Sequence, residues 1–308
     1  MASTKRAKRK LSDLTYEETN DIVSLLKNLL GDLDEDDADG LSVIESVKNV
    51  IRKLEKTEHL PFSDVSVASL ADAHINVLPM KWTPTGRDDA RAYGEQTTPG
   101  TVTLEDTKKR LANILRFVST ENEAGRRLII TELLLHVAWN LDTEKSGVAI
   151  APEFRVSNKV LESNTRSYGG TVDYLVAIAP PRVRDVVVES AQLAFLSKDI
   201  NATVSCNIYE AKPGGTVLLT ALPQAAIAVA IRAQELGHQT FRGCITTGHE
   251  WLFFIYNRHQ NGHGGAVSRL PSLRLGDDLE NLALILGLLR EWIEHGHSGA
   301  CGFCEYWS

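Results

Sequence analysis

The chain has 308 residues, enough for one large domain or two ordinary ones. Its 43 % hydrophobic and 24 % charged residues are typical of a globular protein with a sizeable core, and no apolar run is long enough to span a membrane. The formal net charge of −7 argues against indiscriminate binding of polyanions, so a nucleic-acid contact needs a local basic surface or metal ions. Four cysteines without the spacing of a disulfide framework fit a reducing compartment.

The N-terminal segment is strongly basic and is not followed by the apolar stretch of a secretory signal. Its cluster is typical of a nuclear-localisation signal or a phosphate-binding arm, with a disordered tail over 1–12 as the alternative. We therefore expect a nuclear or cytoplasmic protein. The positive charges are Lys5, Arg6, Lys8, Arg9 and Lys10.

A small helical module is predicted over 13–78. Amphipathic patterns predict helices over about 16–30, 42–57 and 66–76. The acidic run between the first two lacks the glycine and the final glutamate of a calcium loop, so it is interpreted as a solvated linker. Prolines and glycines without hydrophobic periodicity then predict a linker or long loop over 79–101.

A larger α/β domain is predicted over 102–296, followed by a C-terminal tail over 297–308. Short apolar runs rich in β-branched residues alternate with helical patterns, and several runs are apolar on both faces. This pattern predicts a mixed central sheet flanked by helices. Helices are predicted near 103–119, 121–140, 183–197, 223–236 and 277–294. Strands are predicted near 147–156, 169–178, 204–212, 241–247 and 250–258.

Three carboxylates occupy apolar surroundings in this domain. Asp173 lies inside the strand pattern "GGTVDYLVAI", and Glu132 lies in the apolar helix pattern "IITELLLH". Glu210 and Lys212 are two apart, so they share one face of a strand that ends at Pro-Gly-Gly. Burying a carboxylate costs several kcal/mol or more unless it meets a cation or several donors. We therefore expect these residues to form one site.

Phosphodiester hydrolysis is the chemistry that this set suits. Asp173 and Glu210 on neighbouring strands are expected to bind Mg²⁺ or Mn²⁺, which acidifies a water and neutralises phosphate charge. Lys212 is expected to orient that water or to stabilise the pentacoordinate phosphorus. The glycines after Pro213 leave room for a nucleic-acid backbone to approach. The alternative is a buried salt bridge of Lys212 with Asp173 or Glu210.

These motifs resemble the PD-(D/E)XK nuclease superfamily over roughly 120–256. The family pattern is an Asp on one strand and Glu/Asp-x-Lys on the next, often with a Glu on the preceding helix and a Gln on the following one. Asp173, Glu210-Ala211-Lys212, Glu132 and Gln224 match it in order and context. The resemblance implies a restriction-endonuclease-like core and catalytic residues Asp173, Glu210, Lys212, Glu132 and Gln224. The 36 residues between Asp173 and Glu210 require an inserted element near 183–200.

The resemblance also bears on partners. It implies a nucleic-acid substrate, DNA favoured over RNA, and it admits a homodimer because restriction-type relatives are often dimers. Lys159, Arg166 and Arg242 are the predicted phosphate contacts. The stretch "FRGCITTGHEWLFFIYNR" resembles the closing strands of nuclease-like domains in fungal and Crinkler-type effectors. The alternative function is therefore a catalytically inactive scaffold that binds protein or nucleic acid, with the helical module as a protein-binding surface.

Four potential metal ligands lie near the C-terminus, at His295, His297, Cys301 and Cys304. They are compatible with a tetrahedral zinc site, but the spacing matches no zinc finger. The two cysteines are equally compatible with a redox pair. A further alternative is that the whole segment is a frayed tail.

Overall fold

The structure, a computed structural model, describes residues 16–32, 38–55, 59–161, 166–260 and 263–306. These residues form the predicted α/β fold. The helices are α1 (Tyr16–Asp32), α2 (Ala38–Glu55), α3 (Val67–Asp72), α4 (Gly86–Glu95), α5 (Leu104–Phe117), α6 (Glu123–Leu141), α7 (Pro181–Ala194), α8 (Lys198–Thr203), α9 (Leu218–Leu236) and α10 (Leu282–Glu294). The strands are β1 (His59–Pro61), β2 (Ile75–Trp82), β3 (Gly147–Val160), β4 (Ser167–Ala179), β5 (Ser205–Ala211), β6 (Thr240–Thr246), β7 (Glu250–Arg258), β8 (Gly265–Arg269), β9 (Leu273–Arg274) and β10 (Cys304–Tyr306).

The described strands form one mixed sheet in the order β1-β4-β5-β6-β7-β8-β2-β10. The long strand β4 also pairs with β3, and β7 also pairs with β9. Antiparallel pairing joins β3 to β4 and β4 to β5, whereas β5 and β6 run parallel and are connected through α9. The connection from β4 to β5 holds α7 and α8, which confirms the predicted inserted element.

Helices cover both faces of the sheet. The helix α9 is apolar around most of its circumference and packs on one face with Leu175 and Ile208. The helices α6 and α10 pack on the other face, where Val176 and Tyr209 lie. All seven residues of β5 are buried, because helices exclude water from both sides of this central strand.

The prediction of a linker over 79–101 is wrong. Residues 75–79 pair in parallel with β8, so β2 belongs to the sheet, and α4 packs on α10. The two helices touch at Gly94 and Gly287, where a Cβ on Gly94 would lie 1.8 Å from the carbonyl oxygen of Ala283. The glycines there permit close helix packing, which sequence periodicity alone does not reveal.

The predicted module boundaries also change. The strand β1 pairs with β4, so the module predicted over 13–78 contributes strands to the large sheet. Among the described residues of this module, α1 and α2 form a small separate core at Val23, Ile51 and Leu54. The predicted tail over 297–308 contains β10, which pairs with β2. The basic segment over 1–12 lies outside the described residues, as does most of the acidic linker.

Within the described ranges, none of the helices combines the length and the apolar character that crossing a membrane requires.

Candidate functional site

Two predicted carboxylates lie on neighbouring strands where the β4–β5 ladder ends. Tyr174 pairs with Tyr209, so the next step along the ladder places Asp173 opposite Glu210. Asp173 Oδ2 accepts a hydrogen bond of 2.7 Å from the backbone N–H of Ala211. The backbone N–H of Asp173 lies near the Glu210 carboxylate and acts to lower its pKa. These contacts keep the two carboxylates together where the β4–β5 pairing ends.

Lys212 and Gln224 complete a compact polar cluster with Glu210. Lys212 Nζ donates to Glu210 Oε1 at 2.8 Å and to Gln224 Oε1 at 2.9 Å, and Gln224 Nε2 donates to Glu210 Oε1 at 2.6 Å. The backbone N–H of Lys212 donates to the Thr246 carbonyl at 2.8 Å and so prolongs the β5–β6 pairing by one residue. The strand end and the first turns of α9 therefore fix the positions of all three side chains.

Burial raises the pKa of both carboxyl groups. The Glu210 side chain is only 6 % exposed. Its pKa rises to about 7, chiefly because burial penalises the charged form and also because Asp173 repels it, while Lys212 opposes the shift. The pKa of Asp173 is also raised by burial, against the effects of the Ala211 N–H and Arg127. The two carboxyl groups thus form a closely spaced pair that a cation would stabilise.

The raised Glu210 pKa predicts how stability depends on pH. Between its ordinary value of 4.5 and about 7, the folded protein retains a proton that the unfolded chain has released. Stability therefore falls as the pH rises through this window. We expect wild type to lose on the order of 3 kcal/mol relative to Glu210→Gln across it, at 1.36 kcal/mol per pH unit. Urea unfolding of both proteins in EDTA at several pH values measures this; parallel stability curves would contradict it.

Arg127 is a site residue that the sequence analysis missed. Its guanidinium forms ion pairs with Asp173, with Glu123 at 2.8 Å and with Glu153 at 3.0 Å. The sequence feature that could have identified it is the pair Arg126-Arg127 near the start of an apolar helix. Positive charge is unfavourable close to a helix N-terminus, so two arginines there call for acidic partners.

Glu132 does not join the cluster in the described contacts. Its carboxylate pairs with Arg110 on α5 at 3.3 Å. The neighbouring His136 is buried and instead bonds Thr107 at 2.7 Å. Glu123, one turn before Arg127, is the α6 carboxylate that lies near Asp173, as its effect on the Asp173 pKa indicates.

The two glycines after Pro213 have different environments. A Cβ on Gly214 would lie 2.0 Å from Arg126 Nη2, so the Arg126 guanidinium already occupies the space beside this glycine. Gly215 has a φ of +78° and open space around it. The close approach of a nucleic-acid backbone therefore stays a prediction at Gly215, whereas Arg126 fills the space beside Gly214.

The prediction that Arg242 contacts phosphate is wrong. Its side chain is fully buried, and its guanidinium pairs with Glu291 at 3.3 Å and lies over the Trp292 ring. It also donates to backbone carbonyls of the C-terminal segment, at Ser298 and Ala300. No nucleic-acid phosphate can reach it in this fold.

Lys159 and Arg166 lie away from the cluster, near the connection from β3 to β4. Arg166 is seven residues before Asp173, which is about 23 Å along an extended strand. It pairs with Asp72 at 2.8 Å. The structure therefore does not bring these two side chains to the cluster, and their contact with phosphate stays a prediction.

The C-terminal His and Cys residues are not brought together as a zinc site. Cys301 and Cys304 form a disulfide, with their Cα atoms 5.3 Å apart. His297 stacks on His238, and His295 Nε2 lies 3.6 Å from Glu291. Within the described ranges, no group of three or more His, Cys, Asp or Glu side chains is arranged to hold a metal ion.

Two cavities flank the cluster. One of about 390 Å³ lies between α6 and strands β3 and β4, with Asp173, Arg127 and Tyr174 in its wall. The other, of about 530 Å³, lies beyond the Pro-Gly-Gly turn and includes Arg126, Gly215 and His249. Asp173 is therefore reachable from solvent through the first cavity, whereas the second is lined by neighbours of the cluster in the chain.

No family model matches the chain, and a comparison with curated proteins likewise finds no match.

Proposed function

We propose that this protein is a metal-dependent nuclease that hydrolyses phosphodiester bonds. The observation that carries the proposal is the pair of buried carboxylates Asp173 and Glu210 on adjacent strands, with Lys212 and Gln224 bonded to Glu210. Four of the five residues singled out by the PD-(D/E)XK resemblance thus lie together, three where the β4–β5 pairing ends and Gln224 on α9. That concentration of buried charge exceeds what one structural ion pair requires.

The donor set fits a hard divalent cation. An ionised carboxylate offers about four lone-pair positions. The described hydrogen bonds use two of these on Asp173 and two on Glu210. Mg²⁺ commonly binds through one or two carboxylates and keeps several waters, so two carboxylates are sufficient. A bound Mg²⁺ or Mn²⁺ would supply Lewis-acid activation of water and offset phosphate charge.

The protein side chains then have distinct roles. Asp173 and Glu210 would hold the cation, and hydrogen bonds from the Ala211 N–H to Asp173 and from Lys212 to Glu210 keep both carboxylates oriented. Lys212 has three N–H donors, of which the described contacts use two, so one remains for a water or a phosphate oxygen. Gln224 bonds both Glu210 and Lys212 and so restricts their rotamers. Hydrolysis adds the water oxygen to phosphorus, breaks the bond to the leaving oxygen, and returns a proton to that oxygen.

The proposed substrate is nucleic acid, with DNA favoured over RNA. The open space around Gly215, three residues after Lys212, supports this proposal, because no atom of the described residues, its chain neighbours aside, lies within 4 Å of a Cβ built there. A nuclear or cytoplasmic location, a homodimer and a protein partner of the helical module remain predictions from the sequence.

A cleavage assay tests the proposal. Supercoiled plasmid, single-stranded DNA and RNA are each incubated with the protein in Mg²⁺, Mn²⁺ or EDTA. We expect cutting that depends on the metal and is lost in the double variant Glu210→Ala with Lys212→Ala. The absence of cutting on every substrate by a folded wild-type protein would reject the proposal, as would equal cutting by the double variant.

A nuclease-like scaffold without activity is the second candidate. The observation that favours it is that Asp173 and Glu210 are already paired with Arg127 and Lys212. Such a scaffold needs no divalent cation. Isothermal titration with Mn²⁺ separates the two candidates, because only the nuclease requires a binding event that is lost in Asp173→Asn.

A further inference from the structure

The cavity of about 530 Å³ beyond the Pro-Gly-Gly turn, here called the Arg126 cavity, has a basic and hydroxylated lining. Its walls come from the start of α6, the start of α9, the β6–β7 turn and the segment at β9. Its polar lining residues are Arg126, Thr216, Thr247, His249, Glu250, Ser272 and Arg274.

The cavity adjoins the proposed catalytic cluster through the backbone. Lys212 is hydrogen-bonded to Thr246, and the next residue, Thr247, lines the cavity. On the other side, Gly215 follows Lys212 by three residues and also lines it. The guanidinium of Arg126 packs against Gly214, where any side chain would collide with it. Arg126 is thus held between the turn that follows Lys212 and the cavity.

The charges in the cavity favour an anion. Arg126 donates to the Thr247 carbonyl at 3.1 Å, and its buried Nε has no hydrogen-bond partner. Arg274 pairs with Glu250 through Nε at 2.8 Å, but its side chain is 82 % exposed. Two guanidinium groups therefore face one carboxylate among the lining residues. The nearby hydroxyl groups add uncharged donors.

We propose that the Arg126 cavity binds a phosphodiester group of the substrate strand next to the one at Lys212. Guanidinium groups match phosphate oxygens through paired N–H donors and keep their charge at all relevant pH values. This inference rests on the proposed nuclease function and adds a second phosphate contact to it. This second contact would fix the direction in which the bound strand leaves the site of cleavage.

Equilibrium binding in EDTA tests this subsite without catalysis. A fluorescein-labelled single-stranded oligonucleotide is titrated by anisotropy at several salt concentrations, with wild type, Arg274→Ala and Arg126→Lys. Arg274→Ala removes an exposed side chain and so leaves the core intact. We expect it to weaken binding about tenfold and to reduce the slope of log K against log salt by about 0.7. Arg126→Lys retains the charge, so we expect weaker binding with a nearly unchanged slope.

The matched control is Arg182→Ala, which removes an exposed charge from α7, a helix that does not line the cavity. Equal affinity and slope in wild type and Arg274→Ala would overturn the subsite, as would an equal loss in Arg182→Ala or no binding by wild type. The cleavage assay reports separately on the nuclease. Cutting by wild type together with unchanged binding by Arg274→Ala would leave the nuclease standing and reject only the subsite. Weakened binding by Arg274→Ala, together with no cutting by wild type, would support the phosphate contact in the cavity and reject the nuclease.

Discussion

Lys212→Met is expected to lower the rate constant for cleavage about 10²–10³-fold, the usual cost of removing one electrostatic group that stabilises a transition state. Methionine keeps most of the side-chain length but cannot donate to Glu210, to Gln224 or to a phosphate oxygen. The carboxylates of Asp173 and Glu210 stay in place, so Mn²⁺ affinity should be retained. Single-turnover cleavage measures the contribution of Lys212 to catalysis, and Mn²⁺ titration measures whether Asp173 and Glu210 still bind the metal.

The control for Lys212→Met is Lys145→Met, at an exposed lysine in the connection from α6 to β3. It removes the same charge from the protein without touching the cluster, and its cleavage rate should equal that of wild type. Loss of Mn²⁺ binding in Lys212→Met would contradict the assigned role, since it would mean that Lys212 mainly maintains the carboxylates. A cleavage rate within a few-fold of wild type would contradict it equally.

Arg242→Met is expected to destabilise the protein by about 3–5 kcal/mol, the cost of leaving a buried charge unpaired. Arg242 is fully buried against Glu291, and it also bonds carbonyl oxygens of the C-terminal segment at Ser298 and Ala300. Its removal leaves Glu291 buried without its cation and releases that segment. Urea unfolding measures the change in the free energy of unfolding.

The double variant Arg242→Met with Glu291→Leu is the matched comparison. It removes both charges and should recover part of the lost stability, because no unpaired buried carboxylate remains. A loss below about 1 kcal/mol in Arg242→Met, as for ordinary surface substitutions, would show that Arg242 does not support the fold.

Much of the architecture could be predicted because its elements are strongly periodic. The apolar helices α6 and α9 and the strands β4 to β7 emerge from hydrophobic spacing that depends only on local sequence. The predicted linker over 79–101 failed for the opposite reason. The strand β2 and the helix α4 are stabilised by a parallel partner strand and by glycine contacts with α10, which are distant in sequence.

The amino-acid sequence by itself predicted one site made of Asp173, Glu210, Glu132 and Lys212, because a charged residue inside an apolar element requires a partner. Gln224 was added by the family resemblance. Only the tertiary structure decided the pairing of those partners. In the structure Arg127 forms an ion pair with Asp173, and Glu132 pairs with Arg110. Arg242 is buried against α10, where it pairs with Glu291. Ion pairs across elements depend on which faces pack together, and long-range packing sets those faces. Local residue patterns therefore indicate that a carboxylate needs a cation, but not which cation it meets.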